Sequence, residues 1–180
     1  RDAAKARTQI EIGISTAFGC TIQGKVDEEE VVRLVKAVLD EGVDAVGLAD
    51  TVGYADPAQV KRLYEKVLKV AGDKLNCAHF HDTRGLGLAN CFAAWEMGIT
   101  RFDASIGGIG GCPHAPGASG NVATEDVVYM FESMGVDTGL DFGKLMALRG
   151  RIGKWLEGES LHGAIWRAGL PKTMKEAVHA

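Results

Sequence analysis

Apolar residues change their period along this chain in a regular way. The stretch QIEIGIST (9–16) alternates isoleucine with other residues, the two-residue repeat of a strand. In VDEEEVVRLVKAVLDEG (26–42), Val31, Leu34, Val35, Val38 and Leu39 recur at helical spacing, with acids in the first turn and Gly42 at the stop. DAVGLADT (44–51) reads as a second strand, and Asp56 and Pro57 cap and start a helix carrying Val60, Leu63, Val67 and Val70. LNCAHFHD (75–82), GLGLANCFAAWEMG (85–98) and RFDASIGG (101–108) give a third strand, a third helix and a fourth strand. After a long glycine-rich loop, helix resumes at TEDVVYMFESMG (124–135), with Thr124 as the expected N-cap. Beyond it, Leu145, Leu148, Ile152 and Leu156 predict one or two further helices, and the tail GLPKTMKEAVHA reads as polar and loosely held.

Strand starts spaced roughly 25 to 35 residues apart are the signature of βα units and predict a parallel sheet. A doubly wound sheet and part of a (β/α)8 barrel both fit. The first unit has no G-x-G-x-x-G, which weakens a dinucleotide-binding reading. A full barrel needs eight strands and about 250 residues. In the barrel reading, this chain supplies the last four βα units plus C-terminal helices. Residues 1–135 are then the second half of a catalytic barrel, and 136–180 a helical extension of the same domain.

Composition narrows the function classes. A net charge of -4 without a basic stripe argues against nucleic acid as a partner. No apolar run approaches the roughly 20 residues of a membrane span, and the opening residues do not read as a signal peptide. Cys20, Cys77, Cys91 and Cys112 form no CxxC pair, which favours a reduced, intracellular setting. The tryptophans Trp95, Trp155 and Trp166 fall on helical faces and are expected to pack in the core.

Three groups of residues can carry chemistry. His79 and His81 are two apart on a strand, so they share one face while Phe80 takes the other. With Phe80 in a helix layer, both imidazoles point into a barrel at the carboxyl end of the strand, where they can ligate a divalent cation. The structural alternative is two polar residues hydrogen-bonded at a strand end. The loop GGIGGCPHAPGASGN (107–121) has glycines that let backbone approach a ligand or move as a lid. Cys112 sits within it and can exchange a proton, and Asn121 at its end can offer a carbonyl oxygen. An inert thiol and a turn or helix cap are the alternatives there. Asp50, at the end of the second strand, is placed on the same active face, to orient a substrate hydroxyl or take its proton; capping the following turn is equally open. His114, His162 and His179 stand outside these arrangements.

Read together, AHFHDTRGLGLAN (78–90) and GIGGCPHAPGASGNVATEDVVYMFESMGVDTG (108–139) resemble the 3-hydroxy-3-methylglutaryl-CoA lyase family, of the metal-dependent barrel lyases and Claisen-type synthases. STAFGC and LADTVG extend the likeness from about residue 10 to about residue 140. The resemblance implies cleavage of 3-hydroxy-3-methylglutaryl-CoA, or a related branched 3-hydroxyacyl-CoA, to acetyl-CoA and acetoacetate, as in leucine degradation and ketone body formation. It implies His79, His81 and Asn121 as ligands of Mg2+ or Mn2+, completed by an aspartate from a first strand not seen here. Cys112, His79 and Asp50 take catalytic roles, Glu125 acts from behind the ligands, and His114 stands where these lyases often carry an aromatic residue. Arg1 and Asp2 precede a hydrophilic segment and do not inherit the family's arginine–aspartate pair. The expected protein is a homo-oligomer, dimer or tetramer, in a bacterial cytoplasm, with the mitochondrial matrix as the alternative. The 180 residues alone are expected to be an incomplete, inactive part of a longer enzyme. A Claisen-type synthase or aldolase, and a non-catalytic half-barrel that self-assembles, are the competing readings.

Overall fold

A computed structural model of the chain describes residues 8–111, 113 and 117–172. Strands β1 (Glu11–Ile14), β2 (Ala45–Asp50), β3 (Leu75–Phe80) and β4 (Arg101–Asp103) form one sheet in chain order, each neighbouring pair parallel. Helices α1 (Glu28–Asp40), α2 (Pro57–Ala71) and α3 (Gly87–Glu96) make the crossovers that parallel pairing requires, and α4 (Thr124–Ser133) follows β4. Two more helices, α5 (Phe142–Trp155) and α6 (Ala164–Ala168), come after.

Local chemistry explains these boundaries. The Asp27 carboxylate accepts from the Glu29 N–H at the start of α1, and Asp56 accepts from Ala58 and Gln59 ahead of Pro57 in α2. Alternation along the strands then sends Val46, Leu48, Ala78 and Phe80 into one buried cluster with Val31, Val35, Val60, Leu63, Tyr64 and Val67 of the helices. Each large apolar side chain buried there stabilises the fold by roughly 1.5–3 kcal/mol. Val128, Phe142 and Ile165 form a smaller cluster that ties α5 and α6 to α4.

Three expectations need correction. The fourth strand ends at Asp103, because the chain turns through Ile106–Gly108, with Gly107 and Gly108 at φ +71° and +65°. Ala123, not Thr124, is the N-cap of α4, and no side chain caps that end. Trp95 does pack, its ring 6.0 Å from Phe131, but Trp155 and Trp166 are 71% and 40% exposed. Residues 173–180, most of the tail, lie outside the described residues.

Candidate active site

The other face of the sheet carries the polar side chains. Gly13, Ser15, Gly47, Ala49, Thr51, Cys77, His79 and Asp103 line an open cavity of about 440 Å3. His79 is half-buried there, with Nδ1 3.9 Å from an Asp103 carboxylate oxygen, too far for a hydrogen bond. His81 follows two residues on, and the two rings lie 5.1 Å apart. Burial lowers the pKa of His79 against the pull of Asp103, and it pushes His81 down to about 4, with the neighbouring His79 adding to the effect. Both imidazoles are therefore neutral near pH 7, the state in which a ring nitrogen ligates a metal.

The loop after β4 returns to this point. His81 and Asn121 pair as an isolated antiparallel bridge, flanked by the bonds Val122 N–H to Phe80 O (3.0 Å) and Asp82 N–H to Gly120 O (2.9 Å). The Asn121 amide nitrogen donates to Ile109 O at 2.8 Å, so its Oδ1 is the end left to accept or ligate. Gly110 leaves room for that amide, since a Cβ there would lie 2.8 Å from Asn121 Nδ2. His81 is 5% exposed, and its Nδ1 is buried without a hydrogen-bond partner among the described residues. An orphaned imidazole nitrogen and an amide oxygen free to accept are groups that can ligate a divalent cation. Among the described residues no three His, Cys, Asp or Glu side chains come together as a metal site.

Asp50 departs from its expected place. It shares the parity of Val46 and Leu48, is the register partner of Phe80, and is 1% exposed on the helix side of the sheet. Its two oxygens accept from Tyr54 N–H at 2.8 Å and Ala55 N–H at 3.1 Å, so it holds the turn after β2. Burial raises its pKa, opposed by those backbone donors and by Arg84. Thr51, not Asp50, reaches the cavity. Cys112 and His114 lie outside the described residues. Glu125 is fully buried and accepts from Gly107 N–H and from Arg149 Nε at 2.9 Å. Arg149 escaped the sequence reading, although a charged residue on the face of Leu145, Ile152 and Leu156 signals a buried partner.

A parallel α/β sheet with histidine and amide donors gathered beyond its strand ends defines the chemical face of a (β/α)8 barrel. The chain belongs to the HMGL-like family, whose model matches residues 2–152. It is 46% identical over 156 residues to hydroxymethylglutaryl-CoA lyase of Bacillus subtilis, covering 87% of this chain and 51% of that protein. It is 43% identical over 158 residues to (R)-citramalyl-CoA lyase of Chloroflexus aurantiacus, covering 88% and 50%. An Acinetobacter baumannii HMG-CoA lyase solved with coenzyme A and 3-methylmalate superposes with a TM-score of 0.88 at 44% identity, over 95% of this chain and 56% of that one. The chain thus spans about half the length of the curated relatives it matches.

Proposed function

We propose that the protein containing this chain is a carbon–carbon lyase that cleaves 3-hydroxy-3-methylglutaryl-CoA to acetyl-CoA and acetoacetate. The observation that carries the reading is the pairing of His81 with Asn121 beside an orphaned His81 Nδ1, at the strand end that also presents His79. His79, His81 and Asn121 would hold Mg2+ or Mn2+ together with donors from outside these residues. When bound, the cation supplies Lewis-acid polarisation of substrate oxygens.

The chain's own groups account for the remaining steps. The tertiary hydroxyl proton passes to a general base at the cavity that His79 lines, since a ligating imidazole has no second lone pair to accept it. The bond between carbons 2 and 3 then breaks; its electron pair stays on carbon 2, and the hydroxyl carbon becomes the ketone of acetoacetate. Cys112, which the sequence puts in the glycine loop between Gly107 and Asn121, is the proposed proton donor, its Sγ–H protonating carbon 2 to complete acetyl-CoA. An acyl-CoA substrate also fits the coenzyme A seen in the solved relative. Among the described residues no helix is long and apolar enough to cross a membrane.

A second substrate is favoured by one observation: the citramalyl-CoA lyase relative is nearly as similar as the first. The test is acetyl-CoA release by the full-length protein with Mg2+, from each thioester in turn, beside His81→Ala and Cys112→Ala. Turnover of the hydroxymethylglutaryl thioester that both variants lose supports the reading. Preference for citramalyl-CoA moves the assignment to that substrate, and unchanged rates in both variants overturn it.

A further inference from the structure

The entrance of the glycine loop is held by a closed ring of hydrogen bonds that the proposed chemistry does not use. Gly107 N–H donates to both Glu125 carboxylate oxygens, at 3.1 and 3.2 Å. Arg149 Nε donates to the same carboxylate at 2.9 Å, and its Nη2 to His162 O at 3.3 Å. His162 N–H returns to Gly107 O at 2.7 Å. The ring thus joins the loop entrance to α4, to α5 and to the segment before α6.

Its surroundings are shaped for it. The Glu125 and Arg149 side chains are 0% and 4% exposed, and the guanidinium lies 5.0 Å from the Trp166 ring centre. A Cβ at Gly107 would lie 3.1 Å from Arg149 Nε, and one at Gly163 2.8 Å from a Glu125 oxygen. A buried ion pair is a weak source of net stability, so a ring of this kind points to a positional role. Its position matters because Ile109, two residues past Gly107, receives the Asn121 amide and the Ser105 hydroxyl.

We propose that Arg149 is a positioning residue for the loop: through Glu125 and His162 it fixes Gly107, and thereby sets where Ile109 and Asn121 sit beside the site. The inference rests on the lyase reading for its kinetic readout but not for its structural one. Arg149 touches no reacting atom, so its loss lowers kcat and leaves substrate binding nearly intact.

The experiment compares the full-length protein with Arg149→Met and Arg149→Lys, using steady-state kinetics with Mg2+ and amide hydrogen exchange. Removing a group that supports ligands from behind typically costs 10- to 100-fold in activity, so Arg149→Met is expected to lose about that factor in kcat, with KM changed less than about threefold. Arg149→Lys keeps the charge but not the fork, and falls between the two. In both variants the amides of 105–111 exchange faster while those of α1 and α2 do not. A purely structural role instead lowers the melting temperature, spreads faster exchange through α4 and α5, and leaves kcat of the folded fraction within about twofold; that result overturns the inference. If Arg149→Met fails to fold, Arg149→Lys decides by the same criteria. If the wild type does not cleave either thioester, the lyase reading fails, and unchanged exchange at 105–111 in Arg149→Lys still overturns the positional role.

Discussion

Asp50 and Phe80 are register partners in β2 and β3, and both point at the helix layer, on the opposite side of the sheet from His79. The carboxylate therefore serves the turn that follows β2, where it satisfies two backbone N–H groups at once. Asp50→Asn replaces one acceptor by a donor and leaves a buried N–H unpaired. The expected cost is about 1–3 kcal/mol. Urea denaturation measures it, and hydrogen exchange should place the loosening at Tyr54 and Ala55. A variant as stable as wild type, with unaltered exchange there, would contradict the turn-holding role.

What the sequence made legible follows from local rules. Alternation in LNCAHFHD and helical spacing in α1 and α2 depend on neighbouring residues only, so the βα order and the shared face of His79 and His81 could be read directly. For Asp50 the sequence leaves two roles open, on the active face or capping the next turn, and its parity with Val46 and Leu48 favours the cap. That parity was readable; its pairing with Phe80 was not, being set by sheet register. The Glu125–Arg149 pair spans 24 residues and depends on how α5 lies on α4, which no local pattern encodes. Trp155 was expected inside because helical spacing alone cannot say which side of α5 is covered.

The seam between α1 and α2 should give the fold a measurable acid sensitivity. Glu28 bonds Arg62 Nε at 2.8 Å and Lys66 Nζ at 2.9 Å. Partial burial raises its pKa, but the bonds and charges of Lys66 and Arg62 outweigh this, and the net direction is down. A carboxylate with a depressed folded-state pKa stabilises above its unfolded value, near 4.3, and loses that contribution as pH falls through the folded one. Glu28→Gln is expected to be less stable by roughly 0.5–1 kcal/mol at neutral pH, with solvent screening keeping the figure small. The gap should close toward about pH 3. A gap of the same size in acid would assign it to packing.

Gly120 is where the loop crosses back over its own entrance. Its φ is +113°, and a Cβ there would run into Gly108 O. Gly120 O also receives the Asp82 N–H that helps align Asn121 with His81. Gly120→Ala must therefore strain the backbone and push the two loop ends apart. A destabilisation of at least about 2 kcal/mol is expected. Mn2+ binding followed by electron paramagnetic resonance should weaken in the same variant, since Asn121 moves with the segment. Unchanged Mn2+ affinity would separate Asn121 from the metal.

Thiol chemistry offers a test of burial that needs no substrate. Cys91 is 1% exposed, and desolvation, with the charge of Asp82 adding to it, pushes its pKa up to about 12. Cys20 is only partly buried; backbone donors from Gln23 and Ile22 lower its pKa, and the Ile22 N–H lies 3.4 Å from Sγ. A raised pKa leaves less thiolate at a given pH and a lowered one leaves more, and the thiolate is the species that alkylates. Iodoacetamide on the folded protein near pH 7.5, read by peptide mapping, should modify Cys20 rapidly and Cys91 only after unfolding. Equal rates at the two sites would mean that α3 does not seal its inner face against the sheet.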